Sequence, residues 1–341
     1  MTGLRAVAAW LSLLGIAAYV RLSWVRCVST VEGFDFADPD ALYHLRQIRD
    51  GPMIRDWMLP DGLSPWPGGF DGVLAVLVRL GRLIGVRGTN AEEALVGTVL
   101  VLFSLWAVVL AWQVARASWG QAAGWIAALL VALIPAAIDR SRFGSIDHHL
   151  VEPIILLLAL HPRLKARGRG IALGVGLVVS QSMMVAIGIA AVAMLAAKWR
   201  AREQELKVAE IATVALMVAL PLVCVSAYAH GAWLDYRMVG LFQLGLLAVW
   251  ALAAPIVDGP PARWRWQRAV GACVVLAALA APLIRSASFL SRNRVVELAG
   301  ESDSAFAASA FRLGYMTDLV WLWPVVLVWL GRRAWRSRNR S

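Results

Sequence analysis

The chain has 341 residues, of which 60% are hydrophobic and only 16% charged. A soluble domain carries about a quarter charged residues, so the composition argues against a water-soluble enzyme. The net charge of +11 does not mark a nucleic-acid partner. The basic residues stand in short clusters between apolar runs, as in the cytoplasmic loops of membrane proteins, and form no stripe interleaved with aromatics.

The first apolar run, residues 4–25, is about as long as a bilayer is thick. It is too long for the apolar core of a signal peptide and no A-x-A site follows it, so it is expected to remain as the first transmembrane helix. Residues 27–93 are the largest polar stretch, rich in Asp and Glu, net negative and punctuated by Pro60, Pro65 and Pro67. Within it, 41–49 and 70–83 are expected to form amphipathic helices at the membrane interface. Runs 94–115, 120–138 and 149–161 each read as one span.

Basic clusters then fix the count, because the chain must cross an even number of times between neighbouring cytoplasmic clusters. The clusters are Arg163/Lys165/Arg167/Arg169, Lys198/Arg200/Arg202/Lys207, Arg263/Arg265/Arg268 and the arginines from Arg332 to Arg340. Residues 170–197 therefore fold as a helical hairpin with Ser180, Gln181 and Ser182 at its tip. Spans 211–228, 238–257, 270–285 and 316–331 follow. The expectation is an all-α integral membrane protein with about ten transmembrane helices. Residues 1–341 form one transmembrane domain, seated in the inner or plasma membrane with both termini cytoplasmic. The outer loops are 27–93, 139–148, the tip near 180, 229–237 and 286–315. Cys27, Cys224 and Cys273 have no metal or CxxC spacing, and the last two lie in apolar runs as small packing residues.

Three polar clusters fall on the outer side of this topology, although the basic clusters that fix it lie elsewhere in the chain. The first, after the first span, holds Asp35, Asp38, Asp40, Tyr43, His44 and Arg46. The second, at the mouth between the third and fourth spans, holds Arg140, Arg142, Asp147, His148, His149 and Glu152. The third, in the last outer loop, holds Glu297, Glu301 and Asp303. Asp147 and His149 offer a carboxylate and a neutral imidazole, a pair that suits a divalent ion. An oxygen-rich set with one imidazole favours Mn²⁺ or Mg²⁺ over a closed zinc site. Acids and histidines at the start of a membrane helix are costly unless paired or metal-bound. Glu152, one turn past His148, is placed to support the ligands from outside. Each residue also has a plainer reading. Asp38, Asp40 and Asp147 suit helix N-caps, Arg140 suits an interface anchor, the histidine pair can bond headgroups, and one Glu in a long loop is ordinary.

The clusters, in this order, resemble the catalytic-subunit family of oligosaccharyltransferases, within the C-type membrane glycosyltransferases. Asp40-Ala-Leu-Tyr43-His44-Leu-Arg46 is similar to the D-P-Y-Y-H-L-R form of the family's first acidic motif. Gly144-Ser-Ile-Asp147-His148-His149 is similar to the archaeal D-H-H form of the second, with Arg140 at the usual place seven residues earlier. Leu298-Ala-Gly-Glu301 stands where the family has S-V-S-E or T-I-x-E, and Glu297 is the rival glutamate. The family has thirteen spans and a soluble C-terminal domain with a W-W-D motif. The chain is read as a short form that ends after the tenth span, without W-W-D.

The resemblance implies a metal-dependent, inverting transfer of a sugar or oligosaccharide from a polyprenyl-phosphate or polyprenyl-diphosphate lipid. The ion falls to Asp40, Asp147 and His149, the phosphate or the carboxylates to Arg140 and Arg142, and the acceptor nucleophile to Glu301 with Asp40. Asp38, His44, His148 and Glu152 are supporting or substrate-binding candidates. The acceptor is a protein, an envelope glycan or a lipid on the outer face, with a partner subunit to recognise it. Two other classes remain open: a transporter or flippase of lipid-linked sugars, which should carry polar groups at mid-membrane, and an inactive membrane scaffold.

Overall fold

The computed structural model describes residues 3–31, 33–36, 39–51, 67–180, 183–184, 186–188, 190–191, 194, 207–230, 239–258, 266–275 and 277. These residues are mostly helical. In chain order the helices are α1 (Gly3–Leu22), α2 (Val25–Val28), α3 (Pro39–Asp50), α4 (Gly69–Leu83), α5 (Thr89–Trp119), α6 (Gln121–Leu133) and α7 (Pro135–Asp139). A 3₁₀ turn (His148–Leu150) leads into α8 (Val151–Leu160), followed by α9 (Ala166–Val179), α10 (Val208–His230) and α11 (Leu241–Val257).

Among the described residues, three stretches are long and apolar enough to cross a bilayer: Gly3–Val28, Thr89–Trp119 and Val208–Val225. Helices α6, α8 and α11 are apolar but shorter. Leu4, Leu11, Leu129, Leu130 and Met217 all face outward. So many exposed large apolar side chains belong to a protein whose solvent is lipid, and the chain is a membrane protein. Of the ten expected spans, 316–331 lies outside the described residues, and of 270–285 only 270–275 and 277 are described.

Proline breaks the helix expected over 120–138. Pro135 has no N–H and pushes the residue before it out of the α region. Ile134 accordingly sits at φ −65°, ψ 128°, and ends α6. The C-terminal carbonyls of α6 need other donors, and Arg21 of α1 supplies them. Its guanidinium, fully buried, donates to the Val131 carbonyl at 3.0 Å and the Ala132 carbonyl at 2.9 Å. Its Nε donates to Ser141 Oγ at 2.8 Å, and its carbonyl accepts from the Phe143 N–H at 3.0 Å. One residue thus caps α6 and ties the loop after α7 to α1.

Helix α9 ends at Ser180, which is extended, where the polar tip was expected. It packs against α10 through Gly170 and Gly174. A Cβ on these would lie 2.7 Å from the Ile211 carbonyl oxygen and 2.6 Å from that of Ala215, the close approach that small residues permit in membrane helices. Cys224 packs at the edge of the core that surrounds this seam, whereas Cys273 is exposed rather than packed.

The two amphipathic helices of the first polar stretch form where the pattern placed them, the first three residues longer and the second one residue longer. Helix α3 turns Ala41, Leu45 and Ile48 inward, and α4 turns Phe70, Leu74 and Val78 inward. Both faces join Val96 and Leu100 of α5 and Ile146 and Leu150 near the 3₁₀ turn in one core. Ion pairs fasten them to the first turns of α5. Arg49 meets Glu93, and Arg82 grips Glu92 with two N–H groups at 2.6 and 2.8 Å. The rest of α4 keeps Val73, Val76, Leu80 and Leu83 exposed, as an interfacial helix does.

Candidate metal centre

The site grows from Asp147, which is 1% exposed. It precedes the 3₁₀ turn and caps it, its Oδ1 accepting the His149 backbone N–H at 3.1 Å. Its Oδ2 accepts from Arg140 Nη1 at 3.0 Å. The turn that brings these groups together needs Gly144, whose φ of +96° is a conformation that side chains rarely adopt. A Cβ there would also press on Phe36 and Val28, at 3.1 and 3.2 Å.

Two histidines stand on the other side of Asp147. His148 Nδ1 is 3.2 Å from Asp147 Oδ1 and 3.3 Å from His44 Nε2. His44 arrives from α3, on the inward stripe with Ala41, Leu45 and Ile48. Its other nitrogen, Nδ1, is 2.7 Å from Oδ1 of Asp71 in α4. His149 points elsewhere, with Nδ1 3.2 Å from Glu152 Oε1. Among the described residues, two sets of three donors close to within 4.8 Å: His44 with Asp147 and His148, and His148 with His149 and Glu152.

Electrostatics follow from burial. His148 is pushed below the ordinary imidazole range, chiefly by desolvation, so it is held neutral as a metal ligand must be. Burial pushes the Asp71 carboxyl up, opposed by its hydrogen bond to His44. Two ligands bound to one ion at about 2.0–2.2 Å stand roughly 3.0–3.5 Å apart. The 3.2 and 3.3 Å separations at His148 Nδ1 fall within that span. One carboxylate and two imidazoles are a donor set that a divalent ion accepts, so the residues present fit such an ion.

The other residues singled out in the sequence are placed as follows. Asp40 lies half-buried in the first turn of α3 and belongs to neither donor set. Arg142 lays its guanidinium over the Trp24 ring at 3.9 Å and pairs with Asp139 at 3.2 Å. Asp38, Glu297 and Glu301 lie outside the described residues. Asp71 was not among the residues singled out. The signal for it was present, since a carboxylate stands at the head of the inward stripe of Leu74, Ala75 and Val78, where an acid is costly without a partner.

No protein-family model and no curated protein sequence matches the chain. Solved structures do. The oligosaccharyltransferase of Archaeoglobus fulgidus in complex with Zn and sulfate superposes with a TM-score of 0.63 at 17% identity, over 94% of this chain and 45% of that one. The same organism's enzyme bound to an inhibitory peptide and a dolichol-phosphate gives 0.60 at 15% identity, over 89% and 39%. Its apo form gives 0.60 at 17% identity, over 74% and 33%. The chain spans less than half the length of these archaeal proteins. The fold is oligosaccharyltransferase-like, in agreement with the resemblance carried by the motifs.

Proposed function

We propose that this oligosaccharyltransferase-like chain is a metal-dependent membrane glycosyltransferase. It moves a sugar or oligosaccharide from a polyprenyl-phosphate or polyprenyl-diphosphate lipid to an acceptor on the non-cytoplasmic face, inverting the anomeric carbon. The observation that carries this reading is the convergence of buried Asp147, His148 and His44 beneath the amphipathic helices of the first polar stretch. Support comes from the archaeal neighbours, one bound to a dolichol-phosphate and another tethered to an acceptor peptide with an NVT sequon. Donor sugar and acceptor class stay open between protein, envelope glycan and lipid, and a partner subunit is assigned to acceptor recognition.

In this reading Asp147 is the principal ligand of a Mn²⁺ or Mg²⁺ ion, and the motif resemblance adds Asp40 and His149. When bound, the ion supplies positive charge against the departing phosphate. Arg140 holds Asp147 Oδ2 and fixes the carboxylate plane. The helix cap at Oδ1 fixes its depth at the mouth of α8. Glu301 with Asp40 accepts hydrogen bonds from the acceptor nucleophile and positions it for in-line attack, with Glu297 as the alternative acid. Both termini are cytoplasmic. The outer loops, 27–93 among them, face the lipid phosphate.

The test is Asp147→Asn. Asparagine is as good a cap as aspartate but lacks the charge that holds an ion. Calorimetric Mn²⁺ titration and transfer from polyprenyl-phosphate-linked sugars are measured in detergent or proteoliposomes. The variant is expected to melt within a few degrees of wild type while losing at least about 100-fold in Mn²⁺ affinity and all measurable transfer. A folded wild type that binds no divalent ion would sink the metal-dependent reading. Metal binding without transfer from any lipid-linked sugar would move the weight to a transporter or scaffold.

A further inference from the structure

We infer that helix α4 is a docking surface for anionic phospholipid. Arg79 and Arg87 hold the lipid phosphates, and the row Val73, Val76, Leu80, Leu83 and Ile84 lies on the acyl chains. Such a surface needs neither the ion nor the transfer reaction.

Helix α5 has 31 residues, about 46 Å at the helical rise, against a hydrocarbon core of about 30 Å. Roughly 8 Å of it projects at each end, so its first turns, with Glu92 and Glu93, stand among the headgroups. Arg82 ties α4 to Glu92 through two N–H groups, which holds α4 at the same level. Ile146 and Leu150 share the core beneath α4. The leaflet is therefore the one beside Asp147, the outer leaflet in the reading proposed above.

The surface of α4 is divided to match. Phe70, Leu74, Ala75, Val78 and Gly81 are buried against the protein. Val73, Val76, Leu80 and Leu83 recur every three or four residues on the opposite side, and Leu83 and Ile84 are 81% and 85% exposed. Successive residues turn by about 100°, which puts Arg79 and Arg82 together on one flank between the two rows. That flank faces the headgroups, where Arg82 meets Glu92.

Charge selects the occupant. The polar stretch 27–93 is net negative, yet residues 72–88 carry Arg79, Arg82 and Arg87 and no acid. Arg82 is taken by Glu92. Arg79 and Arg87 are exposed, and among the described residues neither meets an acid. An apolar row alone would suit a second helix equally well. A helix laid on this row would take water from Arg79 without supplying a counter-charge. Phospholipid offers acyl chains to the row and a phosphate to each planar guanidinium, which grips it with two parallel hydrogen bonds. One basic group near an anionic membrane surface strengthens attachment about fivefold, so two give roughly 25-fold at low salt.

The test uses the full-length protein in nanodiscs, with Cys27, Cys224 and Cys273 replaced by alanine and a fluorophore attached through Ile84→Cys. Quenching is followed as phosphatidylglycerol or phosphatidylcholine, each with a nitroxide high on its acyl chain, is added to a phosphatidylcholine bilayer. Phosphatidylglycerol is expected to half-quench at a mole fraction at least about fivefold lower than phosphatidylcholine, and about 0.5 M salt should narrow the gap. Arg79→Gln with Arg87→Gln brings the two lipids within about twofold of each other. Arg79→Lys with Arg87→Lys keeps most of the preference, which separates lost charge from lost fold. A fluorophore attached instead through Leu11→Cys, on the exposed face of α1, shows no preference. Equal quenching by both lipids at position 84 overturns the inference, as does the same preference at position 11. Quenching by neither lipid at position 84 also overturns it, and would place protein on this face, from a second copy or a partner.

Discussion

Arg140 Nη1 stands 3.0 Å from Asp147 Oδ2, closing an ion pair between residues seven positions apart. The carboxylate is buried while the arginine is a third exposed, so the arginine can reach water and the aspartate cannot. The pair therefore costs the arginine little and spares Asp147 an unpaired buried charge.

Arg140→Gln is expected to lower transfer from a lipid-linked donor ten- to hundredfold, the usual cost of losing an outer hydrogen bond at such a site. It should also lower stability by about 1–3 kcal/mol. Arg140→Lys keeps the charge but not the planar fork that fixes a carboxylate, and should recover little of the rate. Initial rates and thermal melts of both variants in detergent decide the matter. Full recovery with lysine would show that Arg140 acts as a charge alone.

Arg21 and Pro135 should be energetically coupled. Pro135 removes the N–H that would have met the Val131 carbonyl in a continuous helix, and the Arg21 guanidinium fills that role at 3.0 Å. Arg21→Met leaves buried carbonyls unsatisfied and is expected to cost about 2–5 kcal/mol. In a Pro135→Ala background, where the helix can close its own hydrogen bond, the same substitution should cost about 1 kcal/mol less. A double-mutant cycle on thermal stability measures the difference. Strict additivity would refute a cap on α6.

What the sequence told of this molecule, and what it withheld, follows from the range of each signal. The apolar runs and the stripes over 41–49 and 70–83 are local, and α1, α3, α4 and α5 formed on them within a few residues. The Arg140 spacing is local too, and so is its pairing with Asp147. The Asp71–His44 and Arg21–Ser141 contacts join residues 27 and 120 positions apart. No periodicity within one segment encodes which partner a buried charge will meet. Residue type still gave a hint in both cases, because Arg21 interrupts an apolar run and Asp71 interrupts an apolar face, each demanding a partner. The break at Ile134 was legible from Pro135 alone, yet the hydrophobicity of 120–138 outweighed it.

The seam between α9 and α10 should be intolerant of added volume. Gly174→Ala places a methyl 2.6 Å from the Ala215 carbonyl oxygen, which is backbone and cannot swing aside. The helices must separate, at a cost of about 1–3 kcal/mol for overpacking. Gly15 in α1 has open space around it, so Gly15→Ala is the control and should be neutral or slightly stabilising, given alanine's higher helix propensity. Thermal melts of the two variants give the comparison. Equal behaviour would mean that the seam is loosely packed.

His161 should make stability fall in mild acid. It lies just past the end of α8, with Nε2 2.9 Å from Gln113 Oε1 and Nδ1 accepting the Arg163 N–H at 3.2 Å. An Nδ1 that accepts carries no proton, so these bonds require the neutral ring with its hydrogen on Nε2. Burial first, then Arg163 and Arg169, push its pKa below the ordinary value of 6.5. Below that value the unfolded chain takes up a proton that the folded chain refuses. The unfolded state then binds more protons, and stability drops as pH falls. The contribution is whole above pH 6.5 and is lost progressively as pH falls from there toward the folded value. Melting curves between pH 8 and pH 5 should therefore show a steeper loss for wild type than for His161→Gln, which keeps a polar side chain but cannot titrate. The difference between the two proteins isolates this group from every other titration they share, so parallel curves would remove His161 from the account.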